Sequence, residues 1–195
     1  MTEIKKNIVL VGGGGHCISL IDIIENGNEF NILGVLDPNT SKKNILGYNV
    51  LGDDSLIPEL VADNTYFLIT VGQIKSYSIR KKIAKILLKN NAKLATIISP
   101  TAYVSKYAHV GEGSVVMNHA VVNAKSKIGN NCIINTMANI DHGVLIQDFC
   151  HISTCAVING DSIIENGTFI GSNATISNNI IIKENSIISA GKFIK

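Results

Sequence analysis

The chain has 195 residues, with 17 basic and 15 acidic side chains and a net charge of +2. That balance, without a block of lysine or arginine, argues against nucleic acid as the main partner, and no apolar stretch is long enough to span a bilayer. Tryptophan is absent and aromatics make up 5% of the residues, so the core must be built from Ile, Val, Leu and Ala.

The N-terminus runs through TEIKKN into a strand without the long apolar core of a signal peptide. None of the four cysteines (Cys17, Cys132, Cys150, Cys155) forms a C-x-x-C pair, so thiols in a reducing, cytoplasmic compartment are expected. The first strand, NIVLV, leads into the loop GGGGH and then a helix predicted at about Cys17–Glu25. Glycines after a strand let backbone N–H groups approach a phosphate, and the following helix N-terminus favours negative charge. Gly12 and Gly14 fit the G-x-G-x-x-G dinucleotide pattern, but Cys17 stands at its third glycine. A second strand, NILGVLD, ends at Asp37, at the distance where that pattern places its acid. A short helix is expected within Asp53–Leu60, then a third strand, TYFLITV. An amphipathic helix over SYSIRKKIAKILLKNN follows, with Ile79, Ile83, Ile86 and Leu87 on one side. Three βα units make one mononucleotide-binding half, not the pair a dinucleotide needs. Residues 1–97 therefore read as a Rossmann-like domain for a nucleotide-linked ligand smaller than NAD, with a nucleotide sugar as the natural candidate.

From Ile98 to Ile194 an Ile or Val recurs at every sixth position, without a miss. Four residues after each, the side chain is usually small, as at Ala102, Ala108, Ser114, Ala120, Ser126, Cys132 and Ala138. This hexapeptide repeat predicts a parallel β-helix over 98–195. Each hexad supplies one short strand and one corner, and three hexads close a triangular coil of eighteen residues. The Ile or Val points inward and stacks on its equivalent one coil on, about 4.8 Å along the axis. The small residue shares the narrow interior. Corners call for tight or left-handed backbone, met by pairs such as Gly129-Asn130, Asn166-Gly167 and Asn178-Asn179. Cys132 and Cys150, both at small inward positions, should stack in adjacent coils as buried thiols.

The five histidines, His16, His109, His119, His142 and His151, show no spacing that recommends a metal site. Asp141 and His142 stand together at a corner, and His151 follows half a coil later, on a different face. By residue type alone these are solvated turn histidines. A side-by-side trimer could bring such groups together.

The hexapeptide β-helix, the VGGGGH loop and the segment NTMANIDH occur together in one chain. That combination resembles the bacterial sugar O- and N-acetyltransferases, which include sialic-acid O-acetyltransferases and nucleotide-amino-sugar N-acetyltransferases, over essentially the whole chain. The resemblance implies a left-handed β-helix and a homotrimer, with acetyl-CoA lying between neighbouring helices and no metal. It implies that His142 is the general base that takes a proton from the acceptor as it attacks the thioester, with Asp141 beside it. It further implies nucleotide-sugar contacts at Gly12, Gly14, Gly15, His16 and Asp37, a place for Asn135 in the acceptor pocket, and acetyl-CoA contacts at His151, Cys155 and Gly160.

Two positions depart from the family pattern. The family commonly has an acid directly after the base, where this chain has Gly143, and a glycine where it has Cys155. The sequence also ends at GKFIK with the repeat still running, where relatives continue into a short capping segment. The expected activity is acetyl transfer to the amine of a nucleotide-linked amino sugar in surface glycan biosynthesis. The alternatives are O-acetylation of sialic acid, a non-catalytic nucleotide-sugar-binding relative, and a metal-dependent β-helix hydratase.

Overall fold

The computed structural model describes residues 5–39, 41 and 43–195. The chain divides into two compact units: Met1–Gly72 with Ser78–Ala95, and Gln73–Tyr77 with Thr96–Lys195.

The first unit is an α/β layer. Strand β1 (Lys6–Val11) is followed by helix α1 (Gly15–Asn26), β2 (Phe30–Leu36), a hairpin of β3 (Asn44–Ile45) and β4 (Tyr48–Gly52), and a 3-10 turn at Asp54–Leu56. Helix α2 (Ile57–Leu60), β5 (Thr65–Ile69), α3 (Ser78–Lys89) and β6 (Lys93–Leu94) complete it. The sheet order is β3-β4-β2-β1-β5-β6, parallel except for the β3–β4 pair. Strand β1 lies at the centre and its Ile8, Val9 and Leu10 are fully buried, so it reads as an unbroken apolar run rather than an alternating one. The hairpin went unread in the sequence. Its turn places Leu46 (φ 47°) and Gly47 (φ 89°) in left-handed backbone, the pattern usually marked by Asn-Gly.

Helix α3 corrects the expected apolar face. Ile83 and Leu87 are buried, but Ile79 is 61% exposed, and the third buried position on that face is Arg80. A guanidinium is stable there because it is bonded: Nη1 donates to the carbonyls of Ile69 (3.2 Å) and Val71 (2.6 Å), just where β5 ends.

The second unit is a left-handed parallel β-helix. Seventeen two-residue strands, β7 (Ile97–Ile98) through β23 (Phe193–Ile194), recur every six residues, and the second residue of each is the Ile or Val of the repeat. Strands pair with the strand three hexads on, as in Val116↔Ile134 and Ile134↔Ile152, so each coil spans eighteen residues. Three faces result. The ladder Val116, Ile134, Ile152, Ile170 has no exposed surface, and each side chain contributes about 1.5–3 kcal/mol by leaving water.

The small inward residues keep a second regularity. From Ser114 to Thr168, where the side chain is polar, it donates to a carbonyl fifteen residues on. Ser114 bonds to Gly129 (2.7 Å), Ser126 to Asp141 (2.5 Å), Cys132 to Gln147 (3.0 Å), Cys150 to Glu165 (3.1 Å), Ser162 to Ser177 (2.8 Å) and Thr168 to Lys183 (3.0 Å). Burying a hydroxyl or thiol here is tolerated because a corner carbonyl of the next coil needs a donor. Cys132 and Cys150 are the stacked, buried free thiols the repeat predicts.

The corners are left-handed at one fixed position. From Gly113 to Gly191, every sixth residue has positive φ, including Lys125, Asn131, Gly143, Cys155, Asp161 and Asn179. At the Gly129-Asn130 corner the left-handed residue is the next one, Asn131, whereas Gly167 and Asn179 occupy it as expected.

Candidate functional site

The glycine loop of the first unit is built around close approach. Gly12 (φ 112°) donates its N–H to Leu36 (2.7 Å), its carbonyl accepts from the buried Thr70 hydroxyl (2.6 Å), and a Cβ on it would strike Val71. Gly13 donates to the Asp37 carboxylate (2.6 Å), and a Cβ there would lie 2.8 Å from the same oxygen. These two glycines therefore let β1 turn sharply and meet the end of β2. Gly14 and Gly15 face open space, and α1 begins without a side-chain cap. The first-turn residues of this helix stand at the positive end of its dipole, which favours negative charge. They border a cavity of about 540 Å³ that is also lined by His16, Asp37, Asp54, Lys82 and Ile79. Gly12, Gly14, Gly15, His16 and Asp37 are thus brought together in one cavity, and Asp54 and Lys82 join them unread by the sequence. Lys82 could have been found from Ile79 and Ile83, which line the same cavity from α3.

In the second unit, Asp141 and His142 follow β14 (Asn139–Ile140) at a corner. The Asp141 carboxylate accepts from the backbone N–H of His142 (2.7 Å) and from Asn123 Nδ2 (3.3 Å). It shapes the turn through its neighbour's main chain. The Asp141 carbonyl is held from inside by Ser126, so the corner is fixed on two sides. His142 leaves this corner with its side chain 59% exposed. Its ring lies over Gly160, one coil on, where a Cβ would come within 2.5 Å of Cε1 and 2.8 Å of Nε2. Gly160 is therefore the seat of the imidazole. The carboxylate of Asp161 stands 3.9 Å from His142 Nδ1.

His151 and Asn135 form a separate cluster. His151 is 8% exposed, on the outward side of β16 (His151–Ile152). Its Nδ1 donates to the Gln73 carbonyl (2.5 Å), which leaves Nε2 to accept from Asn135 Nδ2 (3.1 Å), and its ring meets Phe169 edge-on. Gln73 in turn donates to the Phe149 carbonyl (2.7 Å), and Tyr77 packs on the Phe149 ring. An outward-facing strand position is buried here because the segment 73–77 covers it. No local pattern could reveal that, since the partners lie 78 residues apart. Cys155 stands at a left-handed corner (φ 57°), half-buried, with its N–H bonded to the Thr136 carbonyl (3.0 Å).

The PglD N-terminal domain model matches residues 7–87, and the six-repeat bacterial transferase hexapeptide model matches residues 161–195. Among solved structures, the acetyltransferase domain of PglB from Neisseria gonorrhoeae FA1090 superposes with a TM-score of 0.91 at 28% identity, over 98% of this chain and 92% of that one. The chain is thus similar to sugar acetyltransferases, carrying a PglD-type N-terminal domain and bacterial transferase hexapeptide repeats. The same gonococcal domain, in complex with acetyl coenzyme A, matches with a TM-score of 0.90. A curated relative, the UDP-N-acetylbacillosamine N-acetyltransferase of Bacillus subtilis (strain 168), is 34% identical over 114 residues, 57% of this chain and 51% of that protein. The chain thus matches about half the length of this curated relative. The likeness of fold extends to the GDP-perosamine N-acetyl transferase of Caulobacter crescentus, at 24% identity and a TM-score of 0.73.

Gly143 and Cys155, the two positions at which the sequence departs from what the resemblance implies, both fall on the left-handed corner position. Among the described residues, no group of three His, Cys, Asp or Glu side chains is placed to hold a metal ion, and no helix is long and apolar enough to cross a membrane.

Proposed function

We propose that the protein transfers the acetyl group of acetyl-CoA to the amine of a nucleotide-linked amino sugar, as a cytoplasmic homotrimer serving surface glycan synthesis. The observation that carries this reading is His142, an accessible imidazole seated on Gly160 at a corner held by Asp141 and Ser126. His142 takes the proton from the acceptor amine as its lone pair attacks the thioester carbonyl. The tetrahedral intermediate then collapses with loss of the coenzyme A thiolate, so no covalent enzyme intermediate is needed and Cys155 is not a nucleophile. A positioned base of this kind contributes on the order of 10²–10⁴-fold.

The glycine-loop cavity of the first unit binds the nucleotide part of the acceptor. The first turn of α1, with Gly14, Gly15 and His16, takes the diphosphate, and Asp37, already bonded to Gly13, fixes the loop. Acetyl-CoA lies along the β-helix between neighbouring chains, against Cys155 and the Gly160 corner. His151 has both ring nitrogens engaged and acts from behind, by orienting Asn135 toward the acceptor. Support comes from the Bacillus subtilis relative, a UDP-N-acetylbacillosamine N-acetyltransferase.

An acceptor panel tests this reading. Release of free thiol from acetyl-CoA is followed with UDP-, dTDP- and GDP-linked amino sugars and with sialic acid, and the product is identified by mass. One nucleotide amino sugar should gain an amide-linked acetyl group. Acetylation of sialic acid alone, or of nothing while acetyl-CoA fails to bind, would overturn it.

A further inference from the structure

Gly143 follows the proposed base where the resemblance implies an acid, and the Asp141 carboxylate serves the His142 backbone and Asn123 instead of the ring. Resting on the reading of His142 as the base, we propose that Asp161, one coil further on, is the positioning carboxylate for the His142 ring.

Three observations carry this. First, Asp161 and Gly143 are the same corner position in adjacent coils, eighteen residues apart and both left-handed (φ 58° and 68°). Second, a Cβ on Gly143 would collide with Asp161 Oδ1. A side chain at 143 would displace the Asp161 carboxylate from its present position, which the glycine leaves open. Third, Asp161 Oδ2 lies 3.9 Å from His142 Nδ1, and among the described residues no hydrogen-bond donor engages the Asp161 carboxylate. Asp161 thus stands beside the ring from the next coil.

The distance is that of a loose ion pair, wider than a hydrogen bond, and catalytic contacts of this kind commonly tighten only when substrate binds. Both side chains are about 60% exposed. An ion pair so exposed adds little to stability, which separates a positioning role from a structural one. The chemistry follows from the atom engaged. A carboxylate at Nδ1 favours the tautomer with the proton on Nδ1, leaving the Nε2 lone pair to accept the proton of the acceptor, and then stabilises the imidazolium that forms. The other charged groups of this corner are Asp141, turned to the main chain, and Lys125, one coil back in the same left-handed stack.

The decisive variant is Asp161→Asn, which keeps a residue tolerant of left-handed backbone and removes only the charge. It should lose about 10–100-fold in kcat, the usual cost of removing a carboxylate that orients a functional histidine, with both KM values within about twofold. The double variant Gly143→Asp with Asp161→Gly returns the carboxylate to the family position and should recover most of that loss. A readout that does not need turnover separates this proposal from the assignment of the base. Long-range ¹H–¹⁵N spectra of the His142 ring, assigned with His142→Ala, should show the Nδ1-protonated tautomer in the wild type and its loss in Asp161→Asn. Wild-type kcat in Asp161→Asn, a rise in KM alone, failure of the double variant to recover, or a ring tautomer indifferent to residue 161 would each overturn the proposal. If the tautomer responds but His142→Ala turns over normally, the assignment of the base falls and the contact between the two side chains stands.

Discussion

Cys155 shows how one backbone angle governs a residue's worth at this site. Its φ of 57° belongs to the corner position that Gly143, Gly167 and Gly191 also fill. A side chain with a Cβ is strained there by about 1–2 kcal/mol, while a glycine loses about 0.5–1 kcal/mol of extra backbone freedom on folding. Cys155→Gly should therefore stabilise the fold by about 0.5–1 kcal/mol, a difference of the same two terms, read as a higher midpoint in urea with an unchanged slope. A lower midpoint would mean that the thiol packs better than its half-buried position indicates. Gly143 shares this corner position, and the coil stacks it on residue 161, eighteen residues on. The eighteen-residue coil was legible, so the signal for Asp161 was present in the register and not in the local motif.

At the scale of the coil, the inward positions were read almost completely. An aliphatic residue every six positions can do little else than build a solenoid, and each strand's second residue is the one the repeat names. The hydrogen bonds from small inward side chains to carbonyls fifteen residues on were not legible, because they require the coil geometry first. They have a consequence at Cys150. The adjacent Cys132 thiol and burial together push the Cys150 thiol well above the ordinary thiol range. A thiol whose titration is raised by folding adds stability below the pH where the unfolded thiol ionises, about 8.5, and that stability is lost as the pH rises further. Denaturation midpoints should thus fall above that pH, and Cys150→Ala, at a position where Ala138 and Ala156 are accommodated in neighbouring rows, should flatten the fall. In the native protein Cys132 and Cys150 should resist iodoacetamide while Cys155 reacts. An equal rate at all three would contradict the burial of the first two.

For the whole molecule, the division of labour follows from what each unit can offer. The α/β unit presents a helix N-terminus and an open cavity beside Asp37, which suits a phosphate-bearing ligand. The β-helix offers rigid corners whose side chains are set by their neighbours one coil away, which suits a base that must be held in one attitude. Local patterns pointed to the glycine loop and Asp37, which share one cavity, while His142 was singled out only by the family resemblance. They did not reveal the burial of His151 under Gln73, the bonded Arg80 or the β3–β4 hairpin. Each of those depends on a contact remote in sequence or on backbone that an unusual residue adopts.

The central claim is that His142 is the proton acceptor in acetyl transfer, and the most direct test is single-turnover release of coenzyme A by His142→Ala beside the wild type. The chosen acceptor should be the nucleotide amino sugar that the wild type uses, with its binding to the variant measured separately. The account predicts unchanged binding and a rate at least about 100-fold lower, the least a positioned base is worth. Release at the wild-type rate, with the same product, would contradict it.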